Sequence, residues 1–295
     1  MTYPWPNNNK LESIEIYPNI VVYKNLFKDI EKSYKILTDS LSETEDGLFN
    51  PWTTWSVFGE YLNPITPQFS MNDRYGNMKD VETSTETQEN HKNFVIEMMD
   101  NFYLATEDYI KSHNLDVDLD AMSINDDGNP IPTWRWAGGT IGKYHVSNED
   151  SRVGMNYHSD YIREQGHTPG YKFVITSTIY FNDNYEGGEI DFAMGDKLVK
   201  YKPEAGDVLV FPSGHPDYLT EEGKPYLHGV MPSYKNNKFL SRMYWQKYQK
   251  GTDDWYEKEK EFGKDVWAEM QKDLDEQFRL KHPQRAVIEN GVRIQ

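Results

Sequence analysis

Apolar residues recur at helical spacing in two stretches of the first third of the chain. Between Asn25 and Leu41 they fall at Leu26, Phe27, Ile30, Tyr34, Ile36 and Leu37. From about Thr87 to His113 they include Phe94, Met98, Phe102, Leu104 and Tyr109. Residues three and four apart share one face of a helix, so each stretch predicts a helix with one buried stripe. Ile14 to Tyr23 reads as a strand broken by Pro18-Asn19. Ser42 to Asn90, rich in Ser, Thr, Asn and Gly, shows no clear period and is expected to be a functional loop or a mobile one.

The centre of the chain changes character. Thr133–Tyr144, Phe173–Phe181, Glu189–Met194, Lys197–Tyr201, Asp207–Phe211 and Phe239–Trp245 are short and rich in β-branched and aromatic residues. Gly187-Gly188, Gly195-Asp196, Pro203 and Ala205-Gly206-Asp207 punctuate them. Short strands at close spacing with turn signals between them predict an all-β sandwich or barrel. Asp253 to Leu280 is charged and helical, with Trp255, Phe262, Trp267, Leu274 and Phe278 inward. The expectation is one domain over 1–295. Residues 10–130 supply the first strand, helices and long loop, 131–250 the β core, and 251–295 a C-terminal helix and tail.

Composition narrows the chemistry. The formal net charge of −17 repels phosphate backbones and anionic lipid, and no Lys/Arg run offsets it, so neither nucleic acid nor a membrane surface is an expected partner. With no cysteine, disulfides, thiolate nucleophiles and Cys-bound metals are excluded, and any metal must rest on His and carboxylate. The first residues lack a basic and apolar leader and no window is long and apolar enough to span a bilayer, which predicts a cytoplasmic protein.

Among eight histidines, His158 stands out because Asp160 follows two residues later, on the same face of an extended segment. His228 lies just before the last strand of the β-rich region. Two His and one carboxylate can form a facial triad that leaves coordination positions open, an arrangement typical of non-haem Fe(II) oxygenases. A His-x-Asp pair alone is uninformative. The surrounding sequence decides.

Thr178-Ile179-Tyr180-Phe181-Asn182 and Gly187-Gly188-Glu189-Ile190-Asp191-Phe192, then Pro203-Glu204-Ala205-Gly206-Asp207-Val208-Leu209-Val210-Phe211 and His228-Gly229-Val230-Met231-Pro232, stand in order along the chain. Over roughly 133–248 this resembles the Fe(II)- and 2-oxoglutarate-dependent dioxygenases, in particular their prolyl 4-hydroxylase-like branch. The resemblance implies a mainly β protein with flanking helices, built on a double-stranded β-helix (a jelly-roll or cupin-like barrel). It implies Fe(II) on His158, Asp160 and His228, with 2-oxoglutarate and O2 as cosubstrates and ascorbate as a reductant. Lys238, ten residues past His228, occupies the position of the basic residue that holds the distal carboxylate of 2-oxoglutarate. Arg242, four further on the same strand face, is a second candidate cation. Tyr180 matches the tyrosine that helps hold that carboxylate, Tyr144 the one upstream of the first histidine, and Thr176 and Thr178 share Tyr180's face. Tyr244 is expected inward with Arg242.

On this reading the reaction hydroxylates an unactivated C–H bond while 2-oxoglutarate becomes succinate and CO2. The favoured substrate is a prolyl or other peptide side chain. A free amino acid or small metabolite is the alternative within the class, and a non-enzymatic cupin-like metal-binding protein the alternative outside it. A cupin would not need Lys238 and Tyr180 in register. A zinc hydrolase lacks its Glu–His helix motif here, and Asp160 argues against a halogenase. Ser42–Asn90 and Ser147–Arg152 are candidate lids, and His145, His167 and His215 are expected as surface or rim residues, with His215 before Pro216 the one to check for substrate contact.

Overall fold

The computed structural model describes residues 11–40, 53–56, 59–62, 85–118, 120–125, 127–147, 154–160, 171–194, 197–213, 226–248, 287–289 and 292–294. Ser13–Tyr17 (β1) and Ile20–Tyr23 (β2) form the first hairpin, which reverses over Pro18-Asn19 with Asn19 at φ 63°. Asparagine tolerates that left-handed conformation better than other side chains, which is why the break falls there.

The helix expected over 25–41 is shorter than its apolar spacing suggests. Asn25 also turns left-handed at φ 57°. The helix α1 (Ile30–Lys35) starts behind Asp29, whose side chain accepts the Lys32 N–H at 2.9 Å, and passes into a π-helical turn over Ile36–Ser40. Thr85 caps the long helix α2 (Glu86–Ser112) by accepting the Gln88 N–H at 3.2 Å, close to the expected Thr87 start. Phe94, Met98, Phe102 and Tyr109 are all buried on its inner face.

Between the helices the structure departs from expectation. The 42–90 stretch carries a hairpin, β3 (Thr53–Ser56) with β4 (Gly59–Leu62). Four-residue strands are too short for periodicity to register, and β4 is held by pairing to a strand far along the chain, not by local pattern. The remaining strands are β5 (Met122–Ile124), β6 (Pro130–Pro132), β7 (Trp134–Tyr144), β8 (Met155–His158), β9 (Tyr171–Tyr180), β10 (Glu186–Gly187), β11 (Ile190–Met194), β12 (Lys197–Tyr201), β13 (Val208–Pro212), β14 (Leu227–Val230), β15 (Ser233–Tyr234) and β16 (Lys238–Tyr248). A terminal hairpin pairs β17 (Val287–Glu289) with β18 (Val292–Ile294). The expected helix over 253–280 lies outside the described residues.

Most of these strands build two antiparallel sheets of a double-stranded β-helix, with β5–β6 and β10–β15 as separate pairs. The major sheet runs β1-β2-β13-β9-β16-β7-β4-β3 and the minor sheet β12-β11-β14-β8. Every residue of β9 is buried because the strand is covered on both sides. Ile175 and Ile179 join Met243 and Trp245 of β16 in a core against α1 and α2, where the Ser177 and Thr106 hydroxyls also meet at 2.8 Å. Tyr180 and Leu240 belong to a second core, with Ile190, Phe192 and Phe211, between the two sheets. Alternation along β9 and β16 thus sends one residue set to the helices and the other into the interior of the β-helix, where the site lies.

Candidate metal and cosubstrate site

His158 ends β8 and His228 lies in β14, and the two are direct cross-strand partners with ring centroids 4.4 Å apart. Asp160 follows two residues after His158. Its Oδ1 is 3.4 Å from His158 Nε2 and its Oδ2 is 3.6 Å from His228 Nε2. All three side chains are buried, and one ligand atom from each lies within 4.8 Å of the others. His228 Nδ1 meets the Tyr226 carbonyl at 3.2 Å, so Nδ1 carries the proton and Nε2 is the free lone pair. Burial pushes the His228 imidazole down to about 4, which keeps it neutral near pH 7. Burial works against the Asp160 carboxylate, yet His228, His158 and the Thr176 hydroxyl together hold it well below the usual carboxylate range. Two imidazole nitrogens and one ionised carboxylate oxygen facing one point fit a divalent iron with open positions.

Those positions open into a small pocket lined by Tyr144, Thr176, Thr178, Tyr180 and Arg242 together with apolar Ile190, Phe211, Val230 and Leu240. Of the residues singled out in the sequence, His158, Asp160, His228, Tyr144, Thr176, Thr178, Tyr180 and Arg242 therefore come together. Met155, which the sequence did not flag, joins them. Tyr144 Oη donates to its thioether sulfur at 2.8 Å, and Arg242 Nη1 lies 3.7 Å from the same atom. Tyr244 is not in the lining and stacks on Phe173, centroids 4.4 Å apart and 4° from parallel. His145 is half-buried, whereas His167, His215 and most of the 42–90 and 147–152 segments lie outside the described residues.

Lys238 departs from the expected arrangement. It is fully buried but is not in the pocket lining, and its Nζ donates to the Gly188 carbonyl at 2.6 Å. Gly187 and Gly188 turn there with φ +67° and +70°, and a Cβ at Gly188 would come within 2.6 Å of the Tyr185 ring, so the glycines of this motif are needed for the turn that presents the carbonyl. Lys238 Nζ also lies 5.0 Å from the centroid of the Tyr180 ring, which lines the pocket. Burial pushes its pKa down to about 7, and Lys202 and Arg242 act in the same direction against Glu189.

The sign of the consequence is definite. The folded state releases the Lys238 proton at about 7 while an unfolded chain keeps it to the ordinary 10.5, so this residue adds stability as pH rises through that window. The slope is at most about 1.4 kcal/mol per pH unit. In denaturant unfolding at pH 7 and pH 9, the wild type is expected to gain stability relative to Lys238→Met. Parallel pH dependence of the two proteins would show that Lys238 is not buried as an amine.

Comparison with known proteins agrees with this geometry. Residues 144–248 match the profile of the 2OG-Fe(II) oxygenase superfamily, a span that contains all three candidate ligands. That match marks the β core as a 2OG-Fe(II) oxygenase region, and together with the His-Asp-His cluster it supports a 2-oxoglutarate-dependent dioxygenase that uses Fe(II). Among solved structures it is similar to a viral collagen prolyl hydroxylase of Paramecium Bursaria Chlorella virus-1 in complex with 2OG. The identity is 14%, over 78% of this chain and 97% of that one, with TM-score 0.44. It is also similar to the dioxygenase for auxin oxidation 1 of Arabidopsis thaliana (13% identity, 80% and 85% coverage, TM-score 0.46) and to a Pseudomonas putida prolyl-4-hydroxylase (13%, 78% and 94%, TM-score 0.39). No curated protein matches the chain.

Proposed function

We propose that the protein hydroxylates a neutral peptide side chain, a prolyl ring in first place, with His158, Asp160 and His228 as its iron ligands and Arg242 as the cation that holds the distal carboxylate of 2-oxoglutarate. The observation that carries this reading is the convergence of the three ligands and one guanidinium on a single small pocket with mostly apolar exposed surface. Bound Fe(II) supplies the activation of O2 that couples decarboxylation of 2-oxoglutarate to attack on a C–H bond. The chain contributes the rest. The ligands fix the metal on one face, Arg242 and the hydroxyls of Tyr144, Tyr180 and Thr178 orient the diacid, and Phe211, Ile190, Val230 and Leu240 exclude water.

Reach along the strand favours Arg242 over Lys238. Thr176, which touches Asp160, pairs with Tyr244, and Arg242 pairs with Thr178 one step along the ladder, about 7 Å away. Lys238 lies four residues further, about 13 Å in a strand. The two donors on Met155 support the same choice. A thioether is a weak acceptor, and a carboxylate oxygen in its place would receive both the Tyr144 hydroxyl and the Arg242 guanidinium as strong, charge-assisted bonds.

Charge supports the neutral substrate. A ferrous ion and Arg242 together offset Asp160 and both carboxylates of 2-oxoglutarate, provided that buried Lys238 is an uncharged amine. A buried site without net charge favours a substrate without net charge at the reacting end. The prolyl preference rests on the motifs that resemble the prolyl 4-hydroxylase-like branch. Proline-containing peptides are expected to stimulate succinate formation, with matching gain of one oxygen in the peptide, above the slow release expected with Fe(II), ascorbate and 2-oxoglutarate alone. Coupled product from a free amino acid, and none from peptides, would replace this substrate class by the small-molecule one.

A further inference from the structure

β8 lies at an edge of the minor sheet, with β14 as its one ladder partner among the described residues. Yet it must hold His158, and Asp160 just beyond it, rigidly. We propose that Thr176 and Ser213 form a hydroxyl relay, donated from the major sheet, that positions the Asp160 carboxylate and presents its Oδ1 to the metal as a single donor. The inference rests on the reading of Asp160 as a ligand.

Thr176 lies in β9 and its Oγ1 donates to Asp160 Oδ2 at 2.7 Å; the Ser213 and Thr176 hydroxyls are 2.7 Å apart. A hydroxyl has one proton, and that of Thr176 is committed to the carboxylate, so Ser213 must be the donor to Thr176. Ser213 follows β13 directly and is tied a second time to the ligand segment. Its carbonyl accepts the Ser159 hydroxyl at 2.7 Å, between the two ligand positions, and its own N–H donates to the Val174 carbonyl at 2.9 Å. Thr176, Ser213 and Ser159 are each 1% exposed or less, so water does not compete for these bonds.

Side-chain bonds from the opposite sheet therefore supply the restraint that a second backbone ladder would have given β8. They also make the two carboxylate oxygens unequal. Oδ2 is engaged by Thr176, while Oδ1, beside His158 Nε2, is left for the metal. Without the relay the carboxylate is free to rotate, chelate through both oxygens and close a position that the cosubstrate or O2 needs. Thr176 and Ser213 are positioning residues: they act through Asp160.

The test is Mn(II) binding by the full-length protein, read from the electron spin resonance signal of the free ion, beside melting of the metal-free protein. Thr176→Val is expected to weaken Mn(II) binding about 10- to 100-fold, the usual cost of losing an outer-shell partner, and Thr176→Ser to restore it. Ser213→Ala, which removes the donor but leaves Thr176 in place, should weaken binding by less. The melting temperatures should not follow this order. Wild-type affinity in Thr176→Val, or a Thr176→Ser variant as weak as Thr176→Val, overturns the relay, the latter because it makes the lost methyl packing responsible. If Thr176→Val fails to fold, unchanged Mn(II) affinity in Ser213→Ala overturns it instead. A His158→Ala control separates the two readings: if it binds Mn(II) as tightly as the wild type, the metal site itself is misassigned.

Discussion

Alanine at His158, Asp160 or His228 is expected to abolish 2-oxoglutarate turnover and to weaken metal binding by more than the roughly 100-fold that loss of an outer-shell partner costs. Each ligand is one of three on a single face, and an ion held by two donors is neither bound tightly nor oriented toward the pocket. Removing Asp160 has a second consequence, because its carboxylate is the charge that the divalent ion meets. The fold should survive all three changes. The sheets are held by backbone ladders and by two apolar clusters, and none of the three residues is a member of either cluster. Metal titration, succinate release and circular dichroism on the three variants check this together. Tight metal binding by Asp160→Ala in a folded protein would remove Asp160 from the site and with it the facial arrangement.

The next largest effect is expected at Arg242. Loss of a charge-assisted hydrogen bond to a carboxylate costs about 1.5–3 kcal/mol, which is roughly 10- to 150-fold in affinity. Arg242→Ala should weaken 2-oxoglutarate binding to the metal-loaded protein by that factor and leave metal affinity largely intact. Lys238→Ala should change 2-oxoglutarate binding little and stability more, because it removes the bond to the Gly188 carbonyl and leaves a buried acceptor without its partner. Calorimetric titration of 2-oxoglutarate against both variants separates the two cations. A large loss in Lys238→Ala with none in Arg242→Ala would return the anchor to the position ten residues past His228 and would require Lys238 to swing past Tyr180 when the cosubstrate enters.

Much of this was legible in one dimension. Tyr180, Thr178 and Thr176 share a face in any strand, so their common direction followed from alternation alone, and the structure places all three in the pocket lining. The Thr85 cap that starts α2 was shown by the structure, while the helix itself followed from its apolar stripe. The β3–β4 hairpin did not, since it exists through pairing with β7 some eighty residues away. Nor did α1, which two left-turning or capping polar residues, Asn25 and Asp29, shorten against its own apolar spacing.

The sequence by itself determined the chemistry available here: with no cysteine, a metal centre had to be made from histidine and carboxylate, and His158, Asp160 and His228 were the residues in register to make it. It also determined that two cations, Lys238 and Arg242, would stand on one face of one strand. What only the tertiary structure decided was which of them borders the pocket, because that depends on a wall built from other strands. Tyr180 and the Gly187-Gly188 turn lie against Lys238 and give its amino group a carbonyl, while Arg242 lines the pocket together with the metal ligands, beside Met155. Spacing along a strand fixes the direction of a side chain; the neighbours that enclose or expose its charge come from segments distant in sequence, and their approach is set by packing.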